Sequence, residues 1–346
     1  MSEQVVREIF NKLDKTSTLA VKRHVKVVET FLSKLQAMVA RSKGQLRGSR
    51  LLFSGAHHES LAVATFSDFE VELMLGLPYS SDNFTIYFDT NSELYALGWR
   101  KHKKIDFADK EDFLKTQRLQ NKIFSELRAL VDTLVIPGAK IQAKETPNDL
   151  SVTITIKNEV TRVHLTPLIA GRSWEECSRL TSLQELPETV RQSVEDLRNS
   201  SGPLMFFSLA VPQRKTWDDG HRLTDVSFTF LENDIIRNNA ELRDMVRLLK
   251  LVADRSSWHT KYNLQPSHLH RLTIKYADQI KEKTTWEGYS TLLTFLYSEL
   301  GDWKLDSLFV KGRLTISTTC PLRPMDFQDE LAVVMDYRPC KVRSLV

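Results

Sequence analysis

The chain is poor in cysteine, with Cys177, Cys320 and Cys340 far apart and none in a C-x-x-C pair. That spacing excludes a disulfide framework and a cysteine zinc site. Long apolar runs are also missing. The longest uncharged one, residues 202–213, holds two prolines and is too short to span a bilayer. The first residues, Met-Ser-Glu-Gln-Val-Val-Arg-Glu, lack an apolar signal core, so an intracellular protein is expected, in the cytoplasm or nucleus and without a membrane partner. There is no G-x-S-x-G, no Walker loop and no H-E-x-x-H, which removes the commonest hydrolase, P-loop and zinc-protease readings. No internal repeat or low-complexity linker is present.

What remains is an ordinary globular composition, 41% apolar and 27% charged over 346 residues, long enough for one large domain or two lobes. The net charge of +4 is too small to indicate a nucleic-acid binder, but its distribution is uneven. Residues 1 to 50 carry eleven Lys or Arg against four acids, a local balance of +7. Such a segment either docks phosphates or forms the solvated side of a helix.

Apolar positions Val21, Val25, Val28, Leu32, Leu35 and Val39 recur at steps of three and four, which predicts a long helix over 17–42 with Ser17 or Thr18 as its cap. Lys22, Arg23 and Lys26 fall mostly off that stripe. A turn at Gly55-Ala56-His57-His58 leads to Ser67-Asp68-Phe69-Glu70-Val71, where Asp68 and Glu70 are two apart among apolar residues. On a strand both acids project from one face. Two carboxylates aimed at one point suit a pair of Mg2+ ions bridging phosphate oxygens; the plainer reading is a charged, exposed strand face. His57 and His58 read as turn residues or as a metal pair without a third ligand.

Short strands are expected at 84–88 and 94–99, and a basic turn at Arg100-Lys101-His102-Lys103-Lys104. A helix is expected over 109–134, with Phe113, Phe124 and Val131 widening its apolar side. A hairpin follows, with strands 150–156 and 160–168 around a Lys157-Asn158-Glu159 turn. From about residue 187 the period is mostly helical, with strong helices at 240–254, from Ser267, and at 285–300.

The run G-A-H-H-E-S-L-A-V-A-T-F-S-D-F-E-V resembles the active-site entry of the cyclic GMP-AMP synthase and Mab-twenty-one group of nucleotidyltransferase-fold proteins. There a Gly-Ser turn precedes an acid-x-acid strand. Several ordered motifs extend the resemblance from about residue 17 to 335. It implies an α+β, bilobal nucleotidyltransferase fold: an N-terminal spine helix within 1–50, a core over 51–186 and a C-terminal helical lobe over 187–346. It implies metal ligation by Asp68 and Glu70, with His164 at the catalytic third-acid position, and nucleotide contacts from Gly55, Ala56, Ser227, Glu232, Lys250, Ser267 and His268. Lys22, Arg23 and Lys26 would meet double-stranded RNA. The cofactors implied are Mg or Mn, with ATP or GTP as ligand.

This chain departs from the family pattern at four places. Ala56 replaces a phosphate-holding serine, His164 a metal-binding aspartate, Asp225 a base-reading arginine and His268 a base-stacking tyrosine. No His-Cys-Cys zinc insert for gripping DNA occurs, so no zinc is expected. Removing one positioned charge-stabilising group typically costs about two to three orders of magnitude in rate. The expectation is a divergent Mab-twenty-one-type pseudoenzyme that binds a nucleotide, nucleic acid or protein partner. The alternative is an active innate-immunity receptor making a cyclic dinucleotide on duplex RNA or DNA. Without the resemblance, each residue keeps a plainer reading: Lys250 as a helix lysine, Ser267 as a helix cap, Glu232 as an acid near a helix start, and His164 as a strand histidine.

Overall fold

A computed structural model of the chain describes residues 19–54, 68–90, 93–100, 105–175, 177–200, 202–209, 222–258, 261, 264, 266–299 and 308–311. The predicted turn at Gly55, Ala56, His57 and His58, the basic turn at 101–104 and the cap at Ser17 or Thr18 lie outside the described residues, as do Cys320 and Cys340. The architecture is α+β, built on one mixed sheet. Its strands are β1 (Arg50–Ser54), β2 (Asp68–Met74), β3 (Phe84–Asp89), β4 (Leu94–Trp99), β5 (Ala139–Glu145), β6 (Leu150–Ile156), β7 (Glu159–Gly171), β8 (Met205–Ser208) and β9 (Leu223–Ser227). They run in the order β1-β2-β7-β8-β9-β4-β3, with β6 and then β5 added beside the first half of β7. β7 is long enough to pair with β6 through residues 159–165 and then with β8 through residues 168–171, so it joins both halves of the sheet.

The helices are α1 (Leu19–Ala40), α2 (Thr116–Thr133), α3 (Glu188–Asn199), α4 (Thr229–Asn238), α5 (Ala240–Arg255), α6 (Pro266–Lys275), α7 (Ala277–Ile280) and α8 (Thr285–Glu299). Among the described residues none is long and apolar enough to cross a membrane. The apolar stripe of α1 buries Val28, Leu32, Leu35 and Val39 as its period requires, and Lys22, Arg23 and Lys26 remain exposed. His24 of α1 meets Thr161 of β7 through Nδ1 and Oγ1 at 2.5 Å, which seats the helix on the sheet face that also holds Val163 and Leu165. In α2, Leu119, Ile123, Leu127 and Val131 are buried, and this helix packs on β5. A second layer forms where α5 meets α4, α6 and α8 around Leu242, Met245, Leu249, Leu292 and Leu296.

Three sequence expectations need correction. Residues 109–115 do not open α2. Asp109 Oδ1 accepts hydrogen bonds from the backbone N–H of Glu111 (2.8 Å) and Phe113 (3.0 Å), and Leu114 N–H bonds to Leu97 O at 2.8 Å. The aspartate side chain competes with the helix for these amides and lays the segment along the edge of β4. Phe113 therefore leaves the helix face and meets the Tyr87 ring edge-on, with centroids 5.3 Å apart.

The hairpin turn is shorter than expected. Lys157 and Asn158 both have positive φ, 48° and 74°, and Ile156 pairs with Glu159. This is the two-residue loop whose twist matches its strands, and Glu159 belongs to β7.

Strands β5 and β8 were not anticipated. In β5, Ala-Lys-Ile-Gln-Ala-Lys-Glu has little β-branched content because it is an edge strand. In β8, Met-Phe-Phe-Ser is buried on both faces and shows no alternation to read. With β9, it places two strands of the chain beyond residue 187 inside the sheet.

Candidate functional site

β2 runs parallel to β7 in a register that sets Asp68 opposite Arg162, Glu70 opposite His164 and Glu72 opposite Thr166. On both strands the intervening residues, Phe69, Val71 and Leu73, and Val163 and Leu165, are buried in the core. The period of two therefore turns Glu70 and His164 together to the opposite face. There Glu70 is exposed, His164 is half-buried and Glu72 is buried. β6 adds Ser151 directly across from His164.

One residue before β6 lies Asp149, whose Oδ1 is 3.4 Å from His164 Nδ1. Asp149 is anchored by Thr146: its N–H donates to Thr146 Oγ1 (3.0 Å), and its carbonyl accepts from Thr146 N–H (2.9 Å) and Oγ1 (3.1 Å). The sequence reading did not single out Asp149. The readable signal was the two-residue turn, because a one-residue change in loop length moves every cross-strand neighbour.

The same face of the sheet is roofed over β8 by α4. The Phe206 ring packs edge-on against Phe230 of α4 at 5.9 Å, and Phe206 shares a sheet face with Ala170 and Ser227, its register partners. Along β7, alternation assigns Ala170 to the face of His164. α4 also contacts β1. The helix carrying Glu232 thus borders the polar floor formed by Glu70 and His164, with α1 on the other side of the sheet.

Glu232 sits in the first turn of α4 at 2% exposure, and its Oε1 accepts a hydrogen bond from Arg271 Nε at 2.8 Å. Its carboxylate is already engaged, and Arg271, more open than its partner, is the group nearer solvent. Lys250 on α5 and His270 on α6 are each 7% exposed. His270 Nε2 is buried and makes no hydrogen bond among the described residues. Burial pushes the His270 imidazole well below its usual range, and Lys250 and Arg271 push it further. His268 is pushed down to about 4, first by burial and then by Arg271. Both rings are therefore neutral near pH 7, a state in which an imidazole can stack or share one hydrogen bond without adding charge. Sequence reasoning missed His270 and Arg271; a second histidine two residues after His268 and the adjacent arginine carried no spacing signal of their own.

The remaining expected residues are placed as follows. Ser267 is exposed in the first turn of α6, one residue inside the helix, so it is not the cap. Ser227 ends β9, and its Oγ lies 2.8 Å from Thr229 Oγ1 and accepts Thr229 N–H at 3.3 Å, local bonds that shape the entry to α4. Asp225 is half-buried in β9 opposite Ser208. Arg23 of α1 is 3.5 Å from Glu159, and both are well exposed. Among the described residues no three His, Cys, Asp or Glu side chains converge as a metal site; the Asp68 side chain and residues 55–67 lie outside them.

Chemically, the sheet floor offers carboxylate oxygen beside imidazole nitrogen, and the helical side offers a guanidinium and an ammonium beside two neutral imidazoles. Compared with known proteins, the chain matches no family model, and no curated protein matches it at a significant level.

Proposed function

We propose that the chain is a divergent nucleotidyltransferase-fold protein of the cyclic GMP-AMP synthase and Mab-twenty-one group. It binds a nucleoside triphosphate in the cleft between the open sheet face and α4, and transfers nucleotidyl groups weakly or not at all. The observation that carries this reading is the parallel register of β2 and β7, which brings Glu70 beside His164 on the face that α4 borders. Arg271 and Lys250 supply positive charge suited to phosphate, and His268 supplies a neutral ring suited to a base.

Among the described residues the register pairs one carboxylate, Glu70, with one imidazole, His164, on this face, so what favours a divalent cation is the chemistry of the donors and not a converged ligand set. Glu70, with Asp68 two residues before it, offers carboxylates, whereas His164 offers a nitrogen. Mg2+ demands oxygen in near-octahedral geometry, and Mn2+ accepts nitrogen more readily. Such an ion, when bound, would polarise phosphate oxygens. The residues of this chain bind and orient, with Arg271 held in place by Glu232. With His164, Ala56, Asp225 and His268 at the four altered positions, catalysis is expected to be slight, because losses at one site compound.

The test is incubation of purified protein with all four nucleoside triphosphates, Mg2+ or Mn2+, and duplex RNA or duplex DNA, alongside thermal shift with ATP and GTP. The expected result is nucleotide-dependent stabilisation, about 2.7 kcal/mol at a ligand concentration near 100 times Kd, with little or no product. A cyclic dinucleotide lost in Asp68→Ala would replace this reading with that of an active receptor. Stabilisation by no nucleotide would leave a scaffold. Exposure of Lys22, Arg23 and Lys26 on α1 supports duplex RNA as a partner, tested by salt-dependent retention that charge reversal at these residues reduces.

A further inference from the structure

Three strands border the sheet among the described residues: β1, β5 and β3. A border strand presents unpaired N–H and C=O groups, and proteins blunt such borders with charge or with a covering element. β1 is covered, because Gln36 of α1 accepts the Leu51 N–H at 2.7 Å and donates to Ser49 O at 3.4 Å. β5 carries Lys140 and Lys144, both exposed. β3 has neither device. Its sequence, Phe-Thr-Ile-Tyr-Phe-Asp, is β-branched and aromatic, with no lysine, proline or glycine.

The neighbouring strand fixes which groups of β3 face outward. In β4, the Trp99 N–H bonds to Asp112 O at 2.7 Å and Leu97 O accepts the Leu114 N–H at 2.8 Å, both on the side away from β3. Backbone direction alternates, so Gly98 and Ala96 turn toward β3 and bond to their register partners Thr85 and Tyr87. Ile86 and Phe88 therefore point N–H and C=O to the outer edge, and no described residue pairs with them there. The side chains of Thr85, Tyr87 and Asp89 share the face opposite the core, where Tyr87 is 49% exposed. Arg100 lies on that face too, its Nε donating to Thr85 Oγ1 at 3.1 Å.

We propose that β3 pairs antiparallel with β3 of a second copy of this chain, about a two-fold axis centred on Tyr87. With Ile86 and Phe88 as the outward residues, that register sets Ile86 opposite Phe88 of the other copy, and each such pair exchanges both its N–H to O bonds. Tyr87 then meets its own counterpart at a non-hydrogen-bonded position, where opposing side chains are closest. The same register sets Thr85 opposite Asp89 of the other copy. Arg100, seated on Thr85, is thereby brought to that acid, once on each side of the axis. The edge is complementary to itself in charge, which favours a second copy over an unrelated extended peptide. The exposed tyrosine lies at the centre and the ion pairs at the rim, the usual order of an interface.

The test is the oligomeric state of the full-length protein, read by sedimentation velocity over a concentration series. Wild type is expected to dimerise reversibly. Asp89→Arg and Arg100→Asp each set like charges across both contacts and are expected to raise the dimer dissociation constant by about tenfold or more, with urea midpoints checking that both variants fold. Mixing the two variants is expected to restore a dimer, because every contact in the mixed pair again joins an acid to a base. Tyr87→Cys is expected to form a disulfide between two copies under mild oxidation, since the axis puts residue 87 opposite itself, and Thr85→Cys and wild type are not.

A wild type that stays monomeric up to its solubility limit overturns the proposal and leaves this edge to an extended strand of another protein. A dimer that survives both charge variants overturns it as well, as do folded charge variants that stay monomeric when mixed. So does a Tyr87→Cys variant that forms no cross-link while wild type dimerises.

Discussion

His268 and His270 flank a helix face that also carries Arg271, and burial lowers the pKa of both, so the folded state is expected to lose stability in acid. The folded-state pKa of His268 is lowered to about 4, below the ordinary value of about 6.5, so the unfolded chain binds the proton first. Stability from this group is fully present above pH 6.5 and is lost as pH falls from about 6.5 to about 4. The loss approaches about 3 kcal/mol at full protonation, and His270, shifted the same way, adds to it. Urea unfolding midpoints between pH 4 and 7 should fall steeply with acid, and His268→Gln or His270→Gln should flatten the slope. None of this was legible from residue types alone, because a histidine in a helix gives no sign of whether its neighbours will be water or Lys250. Glu232 is similar. The sequence marked it as an acid near a helix start, and only the approach of α6 to α4 committed it to Arg271.

Elements were legible in proportion to how local their causes are. The stripe of α1 and the two β-branched strands of the hairpin follow from periods of three to four and of two, and both are present. The turn joining β6 and β7 has its own chemistry, since Lys157 and Asn158 occupy left-handed backbone. Asn158→Gly should be neutral or slightly stabilising. Asn158→Val should cost about 1–2 kcal/mol in chemical denaturation, because a β-branched side chain crowds the following carbonyl there. The length of that turn also sets the register that puts Ser151 across from His164 and Asp149 within reach. Apolar spacing extends a helical period over residues 109–115 because it cannot reveal that Asp109 captures two amides and that β4 offers an edge. β5 was hidden by its lysines and β8 by its unbroken apolarity.

For the whole molecule, the deciding feature is a sheet whose two halves meet along β7. Phe207 of β8 is fully buried between β7 and β9, with its ring 6.1 Å from Tyr95 of β4. Phe207→Ala should cost about 3–5 kcal/mol of unfolding free energy, because a cavity there touches strands from both halves. A loss under about 1 kcal/mol would show that the halves are stabilised separately. By itself, the sequence determined that helices and strands are mixed, the amphipathic faces of α1 and α2, and the hairpin, since these depend on residue type and on spacing within one turn or one strand; the α+β class was implied by the family resemblance. The partners of those residues were decided by tertiary structure. Glu70 meets His164 across a parallel pairing that spans 94 residues of chain, and α4 meets the same face of the sheet only after β8 and β9 have been inserted. Local spacing encodes which way a side chain points. What it points toward is set by the packing of elements distant in the chain, where burial of apolar faces chooses the neighbours.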